Sequence, residues 1–201
     1  MNPMPPLILA STSRYRRELL ARLRIPFEVI APDVDESALP GEPPQALAGR
    51  LALAKARAVA RRRPEAVVIG SDQVADLDGE ALGKPGSHER AVQQLRRMRG
   101  HAVLFHTALA VVRGDAGFER STCSTVTVRF RALGDDEIEN YLRTEQPYDC
   151  AGSAKCETLG IALLSAIESD DPTTLVGLPL IRTCELLRQA GIDPLRAHPG
   201  P

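Results

Sequence analysis

Lysine is scarce in this chain, and its placement is informative. Of 25 Lys and Arg residues, only Lys55, Lys84 and Lys155 are lysines. Arginine suits most surface roles, whereas a compact ammonium reaches a phosphate oxygen, or titrates in a confined site, where a wide guanidinium cannot. These lysines are therefore candidate ligand contacts, with chance placement as the alternative. A second signal is the run Ser11-Thr12-Ser13-Arg14-Tyr15-Arg16-Arg17. It places hydroxyls and unpaired backbone N–H groups at a helix start, followed at once by guanidinium groups, which suits phosphate. A plain N-cap with a solvated arginine face explains the same residues. A third signal is Asp72, which follows the apolar run Val67-Val68-Ile69-Gly70. A carboxylate leaving a strand end into a polar turn is placed to hold a divalent cation, with an Asx-turn as the competing reading. Asp35 and Glu36 supply further carboxylates. Carboxylates facing lysines and arginines describe a Mg²⁺–phosphate site better than a glycosidase acid/base pair, because Mg²⁺ takes oxygen ligands and bridges substrate phosphates.

Bringing these residues together requires a particular order of elements. The pattern predicts a strand at Leu7–Ala10, the link Ser11-Thr12-Ser13, and a helix to about Arg24. A strand at Phe27–Ala31 follows, then a turn-rich stretch at Pro40–Pro44 and a long helix over Gln45–Arg63, with Arg61-Arg62-Arg63 at its dipole's negative end. Ala66–Gly70 reads as a buried strand, with Ser71-Asp72-Gln73 leading into a hairpin of Val74–Leu77 and Glu80–Leu82 around Asp78-Gly79. A helix capped by Ser87 runs to Met98. The segments His101–Val112 and Phe118–Arg131 form an antiparallel pair. Asp135, Asp136 and Glu137 begin a helix ending near Glu145, where acidic residues read as a cap. A glycine-bearing loop at Cys150–Glu157, a strand at Ile161–Ile167, an acidic turn at Asp170-Asp171-Pro172 and a helix through Gln189 complete the chain, and the tail after Asp193 is expected to be loose. Strands interleaved with amphipathic helices, without repeats or a clear linker, indicate one α/β domain over residues 1–201 with two lobes.

Composition narrows the function classes. The 201 residues are 43% hydrophobic and 25% charged, with net charge -1 and a pI near 6.4, as in soluble globular proteins. That balance argues against binding a nucleic-acid polymer or an acidic membrane with the whole surface. No stretch approaches the length of a membrane span, and the cytosol is the expected location. Cys123, Cys150, Cys156 and Cys184 lack paired CxxC spacing and read as reduced, partly buried thiols. No histidine stands at metal-ligand spacing beside Cys150 or Cys156. His101 and His106 fall on opposite faces of one strand, a structural placement.

The ordered series Leu9-Ala10-Ser11-Thr12-Ser13 with Arg16-Arg17, Asp35-Glu36, Leu53-Ala54-Lys55-Ala56, Gly70-Ser71-Asp72-Gln73, Leu82-Gly83-Lys84-Pro85 and Val176-Gly177-Leu178-Pro179-Leu180 resembles the Maf family of nucleotide pyrophosphatases, from Leu7 to about Leu195. The resemblance implies a mixed twisted sheet with flanking helices and two lobes around a central nucleotide-binding cleft. It also implies hydrolysis between the α- and β-phosphates, releasing a nucleoside monophosphate and pyrophosphate. Asp72 would accept a proton and, with Glu36, hold a divalent cation, Mg²⁺ or alternatively Mn²⁺ or Co²⁺. Because aspartate is a weak base for bulk water, Asp72 is given a mixed role as base and metal ligand. Arg16, Lys55 and Lys84 would neutralise phosphate oxygens, and Ser11 and Ser13 would donate hydrogen bonds.

Gly70-Ser71-Asp72-Gln73 and Cys150-Ala151-Gly152-Ser153, followed by Lys155 and Glu157, look like the YceF-type branch, which implies 7-methyl-GTP as substrate. The branch associated with dTTP and UTP usually carries Thr after the site aspartate and Gln at the position of Glu157. By resemblance, Tyr15, Gln73 and Glu157 occupy specificity positions. Glu157 can accept hydrogen bonds from N1 and N2 of guanine, a pattern thymine and uracil do not offer. Tyr15 can stack on the cationic methylated base, with core packing as its alternative role. Lys155 is placed at phosphate, base or Glu157. Arg14-Tyr15 departs from the family's usual Pro followed by Trp or Arg. The partner implied is a small-molecule nucleotide, with a homodimer as an option. The alternatives are a broader or pyrimidine-directed pyrophosphatase acting on dTTP, UTP or CTP, and a non-catalytic nucleotide sensor in division control.

Overall fold

The protein is described by a computed structural model covering residues 4–196; residues 197–201 of the expected loose tail lie outside the described residues. The fold is α/β, with a seven-stranded mixed sheet and five α-helices among the described residues. Strand order is β2-β1-β3-β5-β6-β7, with β4 paired to β3. Two compact units share this chain: the first comprises the residues up to Asp72, Thr107–Ser124 and those from Asp171 on, and the second comprises Gln73–His106 and Thr125–Asp170. The strands β3 (Val67–Leu77), β5 (Ala102–Arg113) and β6 (Phe118–Phe130) each contribute residues to both units.

In the first unit, β1 (Leu7–Ala10) lies parallel to β2 (Glu28–Val29) and to the start of β3, with Leu7 opposite Val67 and Ala10 opposite Gly70. All four β1 residues are buried, the mark of a parallel strand covered on both faces. Alternation divides the work. Leu7, Leu9, Val67 and Ile69 join a core with Leu19 and Leu20 of α1 (Arg14–Ala21) and Leu186 and Leu187 of α5 (Leu180–Gln189). The intervening Ile8, Val68 and Gly70 face the other way. There α2 (Pro44–Ala60) comes so close that a Cβ on Gly70 would collide with the Ala52 carbonyl and the Ala56 amide.

In the second unit, β3 turns into β4 (Glu80–Leu82) through Asp78 and Gly79, both with positive φ, as a two-residue hairpin requires. Helix α3 (His88–Met98) starts at Ser87, whose Oγ accepts the Arg90 N–H, and buries Ala91, Leu95 and Met98. Helix α4 (Asp135–Glu145) buries Ile138, Tyr141 and Leu142 and packs against α3. Its acidic first turn acts as a cap, with Glu137 Oε2 accepting the Gly134 N–H at 2.8 Å. Strand β7 (Leu164–Glu168) pairs antiparallel with β6.

Several boundaries differ from expectation. The largest difference is β3, which continues unbroken through Ser71-Asp72-Gln73 where a polar link was expected. Ser71 and Asp72, which suggested a link, are satisfied within the fold: Ser71 Oγ donates to the Ala108 and Gly177 carbonyls, and Asp72 pairs with Lys55. Helix α1 ends at Ala21 rather than Arg24, which adopts a left-handed φ of 56°. Helix α2 stops before Arg61-Arg62-Arg63, since Pro64 disfavours helical conformation in the residue before it. Strand β2 is two residues long, and β7 begins at Leu164 because Leu159–Leu163 forms a 3-10 turn.

Candidate active site

In the first unit Asp72, Glu36 and Arg16 gather about one buried ammonium, that of Lys55. Helix α2 presents Lys55, and the close approach permitted by Gly70 brings it to β3, where Nζ donates to Asp72 Oδ1 at 2.6 Å. The loop before α2 supplies Glu36, whose Oε1 lies 2.8 Å from the same nitrogen. Lys55 and Asp72 are 4% and 7% exposed, so each charge depends on the other for compensation. Glu36 is solvent-exposed, giving the cluster one wet edge. Its loop is fastened by Arg50, which forks onto Glu42 at 2.6 and 2.7 Å and donates to the Ser37 carbonyl at 2.9 Å. The Arg50 fork and the Leu39 N–H hold the Glu42 carboxyl down at about 2.

Arg16 belongs to the same cluster. Its Nε donates to the Gly177 carbonyl at 2.9 Å. Burial pushes the guanidinium's pKa down, and the charges of Asp72 and Glu36 oppose that shift. Gly177 has φ 118°, a left-handed conformation that favours glycine, and its carbonyl also accepts Ser71 Oγ. Ser13 is the N-cap of α1, its Oγ accepting the Arg16 N–H at 3.4 Å, and Ser11 Oγ accepts the Ser13 N–H at 3.1 Å. Ser13 thus caps the helix and Ser11 closes the turn before it, and a hydroxyl that accepts one bond is still a donor in type. Tyr15 is half-buried rather than part of the core, with the Arg14 guanidinium 5.7 Å from its ring centroid. Arg14 thus brings a cation to the ring of its neighbour.

The second unit carries Gln73, Lys84, Lys155 and Glu157. Lys84 is exposed on the short loop after β4, and that loop is tied to a neighbour by Gly86 N–H donating to the Tyr148 carbonyl at 3.0 Å. Lys155 is held by its backbone: its N–H donates to Tyr141 Oη at 3.1 Å, and Gly160 lies so near that a Cβ there would meet the Lys155 peptide at 2.5 Å. Burial raises the Tyr141 phenol, which keeps its proton. Lys155 Nζ lies 3.5 Å from Asp149 Oδ1. Glu157 is exposed, and the Cys156 thiol donates to its Oε2 at 3.5 Å. Cys150 and Cys156 are both pushed up to about 12, first by burial and then by Asp149 and Glu157 respectively.

The carboxylates fit a hard cation. Asp72 and Glu36 both reach one nitrogen, so their oxygens converge on a single small region. Among the described residues no group of three or more His, Cys, Asp and Glu side chains could hold a metal. A cation here would thus take two carboxylates and complete its shell with phosphate and water, the habit of Mg²⁺.

Sequence reasoning missed three supports of this arrangement. Gly70 permits the contact of α2 with β3, and its position beside the aspartate was the available signal. Gly177 stands in a noted motif but acts through its carbonyl. Asp171, expected only as part of an acidic turn, is buried, and its carboxylate accepts the Thr173 and Ile181 N–H groups at 2.8 and 2.7 Å, fixing the start of α5.

The chain resembles known proteins over most of its length. The family described as Maf-like protein matches residues 6–190. A 7-methyl-GTP pyrophosphatase from Polaromonas sp. is 71% identical over 187 residues, covering 93% of this chain and 85% of its own. One from Albidiferax ferrireducens is 68% identical, covering 95% of this chain and 96% of its own, and one from Bordetella pertussis is 60% identical, covering 97% of each. Among solved structures, a HAM1 protein from Coxiella burnetii aligns with 65% of this chain and 75% of its own at TM-score 0.48 and 15% identity, too distant to bear on activity. No helix among the described residues is long and apolar enough to cross a membrane.

Proposed function

The chain belongs to the Maf family, and from that premise we propose that it hydrolyses the α–β phosphoanhydride of 7-methyl-GTP, releasing 7-methyl-GMP and pyrophosphate. The observation that carries this reading is the buried Asp72–Lys55 pair with Glu36 and Arg16 around it. Two carboxylates and two cations at one place suit a charged anhydride and its activating ion.

Each residue is assigned a part from its chemistry and from the family resemblance. Lys55 Nζ fixes Asp72 Oδ1, so Asp72 offers Oδ2 to the proton of the attacking water. Water adds to Pα as the bond from Pα to the bridging oxygen breaks, and that oxygen leaves with pyrophosphate. Arg16, Lys55 and Lys84 neutralise phosphate oxygens, and the hydroxyls of Ser11 and Ser13 donate to them. Asp72 and Glu36 would hold a divalent cation, Mg²⁺ foremost, whose chemistry is to lower the pKa of water and to screen the phosphates. Tyr15, Gln73 and Glu157 select the base: Glu157 accepts from N1 and N2 of guanine, and the Tyr15 ring offers a π-face to the methylated cation, worth about 0.5–2 kcal/mol. Lys155 completes the substrate contacts.

Purified enzyme given 7-methyl-GTP, GTP, UTP and dTTP with and without Mg²⁺ tests this reading. Pyrophosphate release is expected to be fastest with 7-methyl-GTP and to require the metal. Faster cleavage of UTP or dTTP would reject the base assignment, and saturable binding without products would reject catalysis.

A further inference from the structure

Gln94 of α3 uses both ends of its amide. Its Nε2 donates to the Gly83 carbonyl at 2.9 Å, and its Oε1 accepts from Ser153 Oγ at 2.6 Å. A carbonyl requires a donor, so the contact with Gly83 fixes which end of the amide is nitrogen. Gly83 immediately precedes Lys84, and Ser153 stands two residues before Lys155. One side chain therefore touches both lysine-bearing loops of the second unit.

The Ser153 end of this bridge is unusual. Ser153 is buried with φ 54°, in the left-handed region, and follows Gly152 at φ 69°. A Cβ on Gly152 would stand 3.2 Å from the Phe105 ring. A serine holds such a backbone only when its surroundings impose it. Here the Gln94 contact is joined by the Ser153 N–H donating to the Cys150 carbonyl at 3.2 Å.

We infer that Gln94 is a positioning residue that locks the Lys84 loop and the Lys155 loop into one arrangement, so that both ammonium groups meet the nucleotide together. The inference rests on the reading above that these lysines contact substrate. Glutamine suits the task because it is donor and acceptor at once. Leucine would lose both bonds, and an ionised glutamate would keep the Ser153 bond while setting a carboxylate oxygen against the Gly83 carbonyl.

That contrast supplies the test. Gln94→Glu is isosteric, and when protonated it again has one donor and one acceptor. Its kcat/KM for 7-methyl-GTP is expected to be about tenfold below wild type at pH 8, the worth of one or two hydrogen bonds. The ratio to wild type should climb toward unity as acidification protonates the new carboxyl. Gln93→Glu adds the same charge at an exposed neighbouring position and should track wild type throughout. A Gln94→Glu ratio that is flat with pH, or equal to one everywhere, overturns the inference. In Gln94→Leu, amide hydrogen exchange should rise about five- to tenfold in both residues 83–86 and residues 153–157, and a rise on one side alone also overturns it. Lys84→Ala and Lys155→Ala are measured alongside. If neither lowers kcat/KM, the assignment of these lysines to substrate fails, while the exchange result still decides whether Gln94 couples the loops.

Discussion

The Asp72 cluster of the first unit and the lysine loops of the second are built on opposite principles. Around Asp72, the carboxylate on its strand and the Lys55 ammonium on its helix are buried and pair at 2.6 Å, with the exposed loop residue Glu36 reaching the same ammonium at 2.8 Å. In the loops, Lys84 and Glu157 are exposed, and position comes from backbone contacts such as Lys155 N–H to Tyr141 and Gly86 N–H to Tyr148. Under the proposed function the difference separates two duties. Proton transfer tolerates little displacement, which suits a base held on a strand by a helix-borne partner. Recognition of the base is a matter of hydrogen-bond pattern, and loops can alter that pattern without disturbing the core.

Substitutions can break this contrast, beginning with the strongest. Asp72→Asn keeps the shape but removes the base, and pyrophosphate release should fall by about 10²–10⁴-fold; undiminished turnover would remove Asp72 from the chemistry. Lys55→Met strips the buried carboxylate of its partner and should cost about 3–5 kcal/mol in denaturant unfolding, whereas Lys84→Ala, at an exposed position, should lower kcat/KM and leave stability within about 0.5 kcal/mol. Glu157→Gln should narrow the preference for 7-methyl-GTP over UTP by about tenfold or more, the worth of a hydrogen bond to a charged group, with little change in melting temperature.

Two smaller effects sharpen the comparison through pH. Cys150 and Cys156, pushed up to about 12, should resist iodoacetamide near neutral pH and react as the solution becomes strongly alkaline, since the thiolate is the nucleophile. Glu42 falls from 4.5 to about 2 on folding. Its contribution to stability is therefore fully present above about pH 4.5 and is lost as pH drops from there toward 2. Glu42→Gln should flatten that part of the melting-temperature profile, and an unchanged acid limb would show that the Arg50 fork does little to secure the Glu36 loop.

Much of the fold was legible because periodicity and caps act locally. Ser87 announced α3, Asp78-Gly79 announced the hairpin, and the acidic trio announced the start of α4. The run Ser71-Asp72-Gln73 misled because polarity signals a loop only when the partners lie in water. Here Lys55 and two backbone carbonyls, distant in sequence, satisfy Ser71 and Asp72 inside the protein. The residues around Asp72 could be nominated from type and order, but their convergence could not be read, since it depends on how nearly α2 approaches β3. Gln94 left no trace at all, because a glutamine on an amphipathic helix looks like any other polar residue until its neighbours are known.

Gly70 has a consequence for anyone retooling this enzyme. With the backbone of α2 where a methyl group would go, position 70 accepts no side chain without displacing the helix that carries Lys55. Library mutagenesis aimed at new substrate preferences belongs at Tyr15, Gln73 and residues 83–86 and 150–157, while residues 52–56 and 70–72 are kept as a fixed chassis.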